Sequence, residues 1–272
     1  MEQWSTSKRD TFYRFKSREY RWRSFMYQVI NEICKVIKFE ETPLEERHFI
    51  IDDSVLGKRG KKIENVSFIY DHTIGRSVLG FCIVTLGLFT GQGFYPLDFA
   101  YRFGSKRHPK SSEERIGDPR SISGQMSYEA KHHSKLELAL MMIQRALDHG
   151  IRAGYVLFDS WYSWPVFINA IRSMGLQVIC RLKDSRVLYE YQGKTYRLSD
   201  LYQKVKSRLR KDVQTGLLLA RVLVRLPESN EEAVIVFCKG YQEPEDETIK
   251  GKKKGERGRF YFLFIPLFLL QL

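Results

Sequence analysis

The chain has 272 residues, of which 43% are hydrophobic and 14% aromatic, so it can bury a sizeable core and is not expected to be disordered. Its 45 lysines and arginines outnumber 32 aspartates and glutamates, which gives a net charge of +13. This excess favours a polyanionic partner, either nucleic acid or an anionic membrane surface, although a basic face that only aids solubility is an alternative. The four cysteines form no CxxC pair, so we expect free thiols and no thiolate metal site.

The first part of the chain has a helical pattern. Residues 5–37 place aromatic and aliphatic side chains, such as Phe15, Trp22 and Ile33, at helical spacing, which predicts two amphipathic helices with a basic outer face. We assign this helical basic segment to 1–43; it is either a small DNA-contacting unit or an ordinary solvated surface. It contains no apolar signal region. The apolar run FYFLFIPLFLL is shorter than the about 20 residues that span a bilayer, so we expect a cytoplasmic protein without a membrane partner.

The middle of the chain mixes strand and helix signals. Four strand-like runs come first, HFIIDDS, NVSFIYDHT, SVLGFCIVTLGLF and GFYPLDFAYRF, and residues 104–130 are polar and loop-like. Ser134 and Glu137 have the spacing of a capping box, which predicts a helix that ends at Gly150. The strand YVLFDS, a helix over 163–174 and the strand LQVICRLK follow. This order predicts an α/β fold with a mixed sheet flanked by helices over 44–185.

The pattern changes after residue 185. Residues 186–258 contain β-hairpin signals, for example VLYEYQGKTYRL with Gly193 in its turn, and we interpret them as a β-rich insertion in the core. The run RFYFLFI, in the last segment at 259–272, predicts one more core strand, followed by an unusually apolar tail.

Two of the predicted strands end in acidic residues. Asp52 and Asp53 follow HFII, and Asp159 follows YVLF. Functional groups of α/β sheets collect at the carboxyl ends of strands, so these carboxylates would meet if their strands are neighbours. Carboxylates combined with substrate phosphates are the usual setting for Mg²⁺. The alternative is structural, because aspartates after strands also cap turns and helices.

A basic turn follows the first acidic pair at once. It contains Lys58, Arg59, Lys61 and Lys62. These side chains would contact nucleic-acid phosphates; the alternative is a solvated basic hairpin.

The stretches IIDDSVLGKRGKKIENVSFIYDH and YVLFDSWYSWPVFINAIRSMGLQVICRLK resemble the DDE-type cut-and-paste insertion-sequence transposases, in the group like insertion sequence family 4 that has a β-rich insertion domain. The resemblance runs from about residue 45 to 265. It implies a ribonuclease-H-like core in which three acids bind two Mg²⁺ ions, with Mn²⁺ as a substitute. Water and then a freed 3′-OH would attack phosphodiesters at the ends of the element. The implied partners are double-stranded DNA, as terminal repeats and target, and a second copy in a synaptic complex, in a nucleoid-associated bacterial protein.

The resemblance also implies roles for individual residues. Asp53 matches the first acid because it directly precedes the Ser/Thr position, and Asp52 is the fallback choice. Asp159 matches the second acid. Arg181 and Lys183 match basic positions that approach the DNA.

The third acid of the family, a glutamate within Tyr-x2-Arg-x3-Glu-x6-Lys, has no match. The nearest spacing, at Arg186, Glu190 and Arg197, has Lys183 where tyrosine should stand and lies in a predicted hairpin. The residues after RFYFLFI include no acid. We therefore expect an inactive transposase fragment, truncated at its C-terminus. The alternatives are a non-catalytic DNA-binding protein and a nuclease on the same core.

Overall fold

The computed structural model describes residues 9–104, 118–214, 216–229, 231–239 and 261–265. Two helices lead into the sheet, α1 (Arg9–Ser17) and α2 (Trp22–Val36), as the helical spacing predicted. Helix α2 buries Tyr27 and Ile30. Two single-turn 3-10 helices, Phe39–Glu41 and Leu44–Glu46, connect α2 to the first strand.

Four antiparallel strands form the first part of the sheet: β1 (His48–Gly57), β2 (Ser67–Asp71), β3 (Arg76–Thr90) and β4 (Gly93–Arg102). The long strand β3 pairs with β1 on one edge. On its other edge β3 pairs with β2 near its start and with β4 further along. All four correspond to predicted strand-like runs, because each carries the β-branched and aromatic residues that suit a pleated, half-buried surface.

The predicted loop at 104–130 is wrong over its described end, because a helix α3 (Ile122–His132) forms there. The helix is stabilised at its start by Ser121, whose side chain accepts a hydrogen bond from the Gly124 backbone N–H. Its sequence, ISGQMSYEAKH, is mostly polar and has a weak hydrophobic period, so the pattern that reveals other helices is missing. Residues 105–117, the rest of that predicted loop, lie outside the described part of the chain.

The second part of the core alternates helix and strand: α4 (Lys135–Asp148), β5 (Tyr155–Phe158), α5 (Pro165–Ser173) and β6 (Gln177–Arg181). The predicted capping box is present, since Ser134 and Glu137 each accept a backbone N–H from the other residue. Gly150 and Gly175 follow α4 and α5 with φ of 81° and 79°, a left-handed conformation that glycine adopts without strain.

Strand β5 is parallel to β1 on one side and to β6 on the other. The central strand order is therefore β4–β3–β1–β5–β6, with three antiparallel strands followed by two parallel ones. Helices α4 and α5 bury Leu138, Met142, Phe167 and Ile171 in the common core. The prediction of an α/β fold with a ribonuclease-H-like mixed sheet flanked by helices is confirmed.

The remaining described residues extend the same sheet. They form β7 (Tyr189–Tyr191), β8 (Lys194–Tyr196), α6 (Leu198–Val205), a 3-10 turn at Lys206–Arg208, β9 (Arg210–Lys211), β10 (Leu218–Arg225), β11 (Glu232–Lys239) and β12 (Tyr261–Ile265). The strand β12 pairs antiparallel with both β6 and β11, so β10 and β11 continue the core sheet.

The region around 186–258 contains the predicted hairpin and one helix that the sequence analysis missed. The β7–β8 turn has positive φ at both Gln192 and Gly193, as a two-residue type I′ turn requires. Helix α6 buries Leu198, Leu201, Tyr202 and Val205, a helical period that its eight residues display too briefly to stand out among strand signals. The boundaries at 43, 185 and 258 stay predictions, and the apolar tail at 266–272 lies outside the described residues. Among the described helices, none is long and apolar enough to cross a membrane.

A buried carboxylate holds helix α2 on the core. The Asp98 side chain, on β4, is fully buried and forms ion pairs with Arg145 of α4 at 2.7 Å and with Arg23 of α2 at 3.2 Å. Tyr27 donates its hydroxyl to the same carboxylate at 3.3 Å, and Arg23 also pairs with Glu129 of α3 at 2.8 Å. Burial and the Asp98 charge raise the pKa of Tyr27 far above its ordinary value, so its hydroxyl keeps its proton. One carboxylate thus links α2, β4 and α4.

We expect Asp98→Asn to lower the free energy of unfolding by about 3–5 kcal/mol, because it leaves two guanidinium groups next to a neutral partner in a buried site. Urea unfolding measures this loss. As a control, Glu32→Gln removes an exposed pair with Lys35 and should change stability by no more than about 0.5 kcal/mol. Equal small losses in both variants would contradict a buried charge network.

Candidate active site

Asp52 and Asp53 lie within β1, which continues to Gly57, whereas Asp159 directly follows the end of β5. The prediction that the first strand ends at this acidic pair is therefore wrong. Ile51 of β1 is in register with Phe158 of β5, and the two strands are parallel. Asp52, the next residue of β1, therefore lies beside the position at which Asp159 leaves β5, and Asp53 lies one position further along β1. The backbone positions of the three predicted acids are thus close together on two neighbouring parallel strands.

Alternation along β1 separates the two adjacent aspartates. Phe49 and Ile51 are buried, and Asp53 continues their face of the sheet, whereas Asp52 lies on the opposite face. The Asp53 side chain is 21% exposed. Asp52 accepts a hydrogen bond from the Asp53 backbone N–H at 2.8 Å. Burial raises the pKa of Asp52, and the charges of Asp53 and Asp159 add to this increase.

Asp53 receives three side-chain donors. The Lys135 ammonium lies 2.8 Å from each carboxylate oxygen, and Tyr162 donates its hydroxyl to Oδ1 at 3.0 Å. The Cys82 thiol lies 3.5 Å from Oδ2. Lys135 is the first residue of α4, and its ammonium also lies 3.8 Å from the centroid of the Trp161 ring. Asp53 therefore already binds one cation in a partly desolvated setting.

Asp159 is exposed and shapes the turn before α5. Its Oδ1 accepts the Trp161 backbone N–H at 2.9 Å, and its carbonyl accepts the Tyr162 backbone N–H at 3.3 Å. The turn-capping role that was the structural alternative for this residue is therefore present. The same turn fixes the direction in which the carboxylate leaves β5, so capping and ligand binding are compatible.

Tyr162 connects the two acids. Its side chain is fully buried, and burial followed by the charge of Asp53 raises its pKa far above the ordinary value, with a smaller contribution from Asp159. The hydroxyl therefore stays protonated and remains a donor to Asp53.

Neither Lys135 nor Tyr162 was predicted from the sequence as a site residue. The signal for Lys135 was available, because a lysine in the first turn of a helix opposes the helix dipole and so calls for an anionic partner. Tyr162 gave no comparable signal, since a tyrosine in an aromatic stretch is usually a packing residue.

The donor set fits a hard divalent cation. Asp53, within β1, and Asp159, directly after the neighbouring strand β5, offer carboxylate oxygens, the ligand type that Mg²⁺ and Mn²⁺ prefer. The Lys135 ammonium, equidistant from the two Asp53 oxygens, stands where a cation is accepted. Within the described ranges, no group of three or more His, Cys, Asp or Glu side chains could hold a metal ion. The described residues therefore offer two of the three acids that the resemblance implies.

An open groove of about 620 Å³ leads away from Asp53 across the sheet face. Lys135 and Trp161 line it near the carboxylate, and Arg102, Phe68 and Tyr70 line it further out. Phe68 and Tyr70 are 40% and 52% exposed. Exposed rings beside cationic side chains suit stacked bases and phosphates.

The predicted DNA-contacting residues lie in two places. The basic turn joins β1 to β2; Arg59, Lys61 and Lys62 are exposed there, and the Lys58 backbone N–H donates to Leu79 at 2.7 Å.

The second place is the end of β6. Arg181 is its last residue and Lys183 follows two positions later, both exposed. Because Phe158 is in register with Cys180 and the strands are parallel, Arg181 leaves the sheet beside Asp159. The structure thus puts this predicted pair at the edge that carries the acids.

The reactivity of the Cys82 thiol reports how much water reaches the candidate site. Burial and the Asp53 charge raise its pKa to about 12, so at pH 9 only about one thiol in a thousand is ionised. We expect iodoacetamide at pH 9 to modify Cys82 at least about 100-fold more slowly in the native protein than in guanidinium chloride. Peptide mapping after timed labelling measures both rates. Similar rates in the two states would mean that water reaches this thiol freely.

Comparison with known proteins identifies a protein family that matches this chain. Residues 1–207 match a family model described as "DDE superfamily endonuclease". No curated protein matches the chain at a significant level. Among solved structures, the chain is similar to the NurA nuclease from Sulfolobus solfataricus, with 11% identity and a TM-score of 0.35 over 96% of this chain and 81% of that one.

Proposed function

Since the chain belongs to the DDE superfamily endonucleases, we propose that Asp53 and Asp159 are the metal ligands of a site for DNA phosphodiester chemistry. One observation carries this proposal: Asp53 lies on the strand parallel to and beside the one that Asp159 directly follows, and Asp53 already binds a cation. Asp53 is preferred to Asp52 because only Asp53 faces Lys135 and Tyr162.

Each residue of the site has a definite task in this proposal. A bound Mg²⁺ or Mn²⁺ would polarise a phosphate oxygen and activate the attacking hydroxyl. Tyr162 orients Asp53 through its hydroxyl, and the turn at Asp159 orients the second carboxylate. The basic turn and the Arg181–Lys183 pair would hold the DNA backbone, and the groove would take nucleotides next to the cleaved bond.

The more specific proposal is DNA transposition, with hydrolysis and strand transfer at the ends of an insertion sequence. It is supported by the two motifs around Asp53 and Asp159 and by strands β7–β11, which a simple nuclease on this core would not need. A synaptic homodimer belongs to this proposal as well.

A second candidate is a non-catalytic DNA-binding protein. It is favoured by the finding that the described residues supply two acids and no three-acid cluster, because two carboxylates would hold one divalent ion loosely and a second one poorly. In this view the basic surface binds DNA, and neither aspartate contributes to affinity.

We expect the chain to bind Mn²⁺, and Asp53→Asn or Asp159→Asn to weaken this binding by about tenfold or more, because each removes an anionic ligand. The matched control Asp52→Asn should change affinity by less than about threefold, since that side chain lies on the other face of the sheet. Isothermal titration calorimetry measures all four proteins. If Asp52→Asn alone abolishes binding, the assignment of the first acid is wrong.

A nicking assay on DNA that carries candidate terminal repeats decides between the two functions. Robust Mg²⁺-dependent cleavage that Asp53→Asn abolishes would contradict the expectation of an inactive fragment and support a working enzyme. DNA binding without cleavage, unchanged in both aspartate variants, would favour the DNA-binding protein.

The basic turn yields a separate prediction. Replacing Arg59, Lys61 and Lys62 with alanine should weaken binding to duplex DNA and reduce the slope of log affinity against log salt by about one for each phosphate that the turn neutralises. Fluorescence anisotropy at several salt concentrations measures this. The control replaces Lys35 and Lys38, which pair with Glu32 and Glu41 on the N-terminal segment. An unchanged salt slope in the turn variant would show that the turn is only a solvated hairpin.

A further inference from the structure

Lys135 lies at a helix position that disfavours a positive charge. It is the first residue of α4, where the positive end of the helix dipole repels a cation. The helix start does not depend on it, because the capping box is formed by Ser134 and Glu137. Its side chain is only 15% exposed, so the ammonium has also lost much of its hydration. A partner must offset these costs.

Two groups supply that offset. The Asp53 carboxylate binds the ammonium with both oxygens at 2.8 Å, and the Trp161 ring lies 3.8 Å from it on another side. The face of an indole ring attracts a cation. Lys135 is thus held in the position where a divalent ion would meet the two oxygens of Asp53.

We propose that Lys135 occupies the cation position on Asp53 in the metal-free protein and leaves it when a divalent ion binds. Lys135 would then be a positioning residue that keeps the acidic site neutral and sets its metal affinity. This inference rests on the proposed function, because it takes Asp53 to be a metal ligand.

Electrostatic repulsion prevents the Lys135 ammonium and a divalent ion from binding the two Asp53 oxygens at the same time. An ammonium and a divalent ion that share the same two oxygens would repel each other at short range in a partly desolvated site. The lysine has somewhere to go, since Lys135 and Trp161 both line the open groove. Metal binding must therefore break the ion pair first, and the affinity for the metal is lowered by the stability of that pair.

An orienting role for Lys135 predicts the opposite change in metal affinity from a competing role. If Lys135 only holds Asp53 in the right orientation, its removal disorders the carboxylate and weakens metal binding. If Lys135 competes with the ion, its removal strengthens metal binding. If the ion pair is formed in about four-fifths or more of the metal-free molecules, its removal raises the apparent metal affinity about five-fold or more, so the change is measurable.

The test is a Mn²⁺ titration of the full chain without DNA, followed by electron paramagnetic resonance of the free ion. We expect Lys135→Met to bind Mn²⁺ at least about five-fold more tightly than the wild type, and Lys135→Arg, which keeps the charge, to stay close to the wild type. The charge-matched control is Lys194→Met, on the exposed hairpin strand β8, which should change affinity by less than about two-fold.

Thermal unfolding gives a second readout. Without metal, Lys135→Met should melt below the wild type because Asp53 is left without its partner, and Mn²⁺ should raise its melting temperature by more than that of the wild type. If Lys135→Met does not fold, Lys135→Gln replaces it in both experiments, with the same expected direction.

Each outcome has one meaning. Weaker or unchanged Mn²⁺ binding in the Lys135 variants, together with wild-type binding that Asp53→Asn abolishes, would overturn this inference and leave the proposed function intact. If neither the wild type nor the Lys135 variants bind Mn²⁺, the proposed function fails and the inference fails with it.

Discussion

The parallel pairing of β1 with β5 is the contact on which the candidate site depends. It joins residues more than 100 positions apart in the sequence and places Asp53, within β1, near Asp159, which directly follows β5. The side chains around Asp53 then follow from neighbouring elements, with Lys135 at the start of α4 and Tyr162 in the turn after β5. Near the end of α4, Arg145 pairs with the buried Asp98. At its start, Lys135 pairs with Asp53. Ion pairs therefore hold this helix near both ends.

Much of the fold could be predicted because its signals are local. The strands carry apolar runs, and the start of α4 is marked by the capping box at Ser134. Helices α3 and α6 were missed, the first because it is polar and the second because it is short. Within the site, Asp53 and Asp159 could be found from the motifs that contain them. Lys135 could not be assigned to Asp53, because that contact spans 82 residues and exists only once α4 packs on the sheet.

Positive and negative side chains are distributed unevenly over the molecule. The chain is strongly basic overall, and exposed cations lie in the turn after β1 and at the end of β6, the two strands that flank β5. A polyanion approaching this face is attracted by the periphery and repelled by the carboxylates. A cation on Asp53, whether an ammonium or a metal ion, reduces that repulsion. A positive charge at the centre of the acidic site thus offsets the mutual repulsion of its carboxylates.

The position of β12 has a consequence for how the protein is made. Strand β6 pairs with β5 on one side, but its other neighbour, β12, is synthesised more than 80 residues later. While the ribosome completes the intervening chain, the edge of β6 that will pair with β12 exposes unpaired backbone groups. The edge of β11 that will pair with β12 is unpaired for the same reason until β12 is made. Pairing over such a distance is slow, and exposed edges invite association with other chains. The nascent protein therefore carries an open sheet next to its acidic centre until the last described strand arrives.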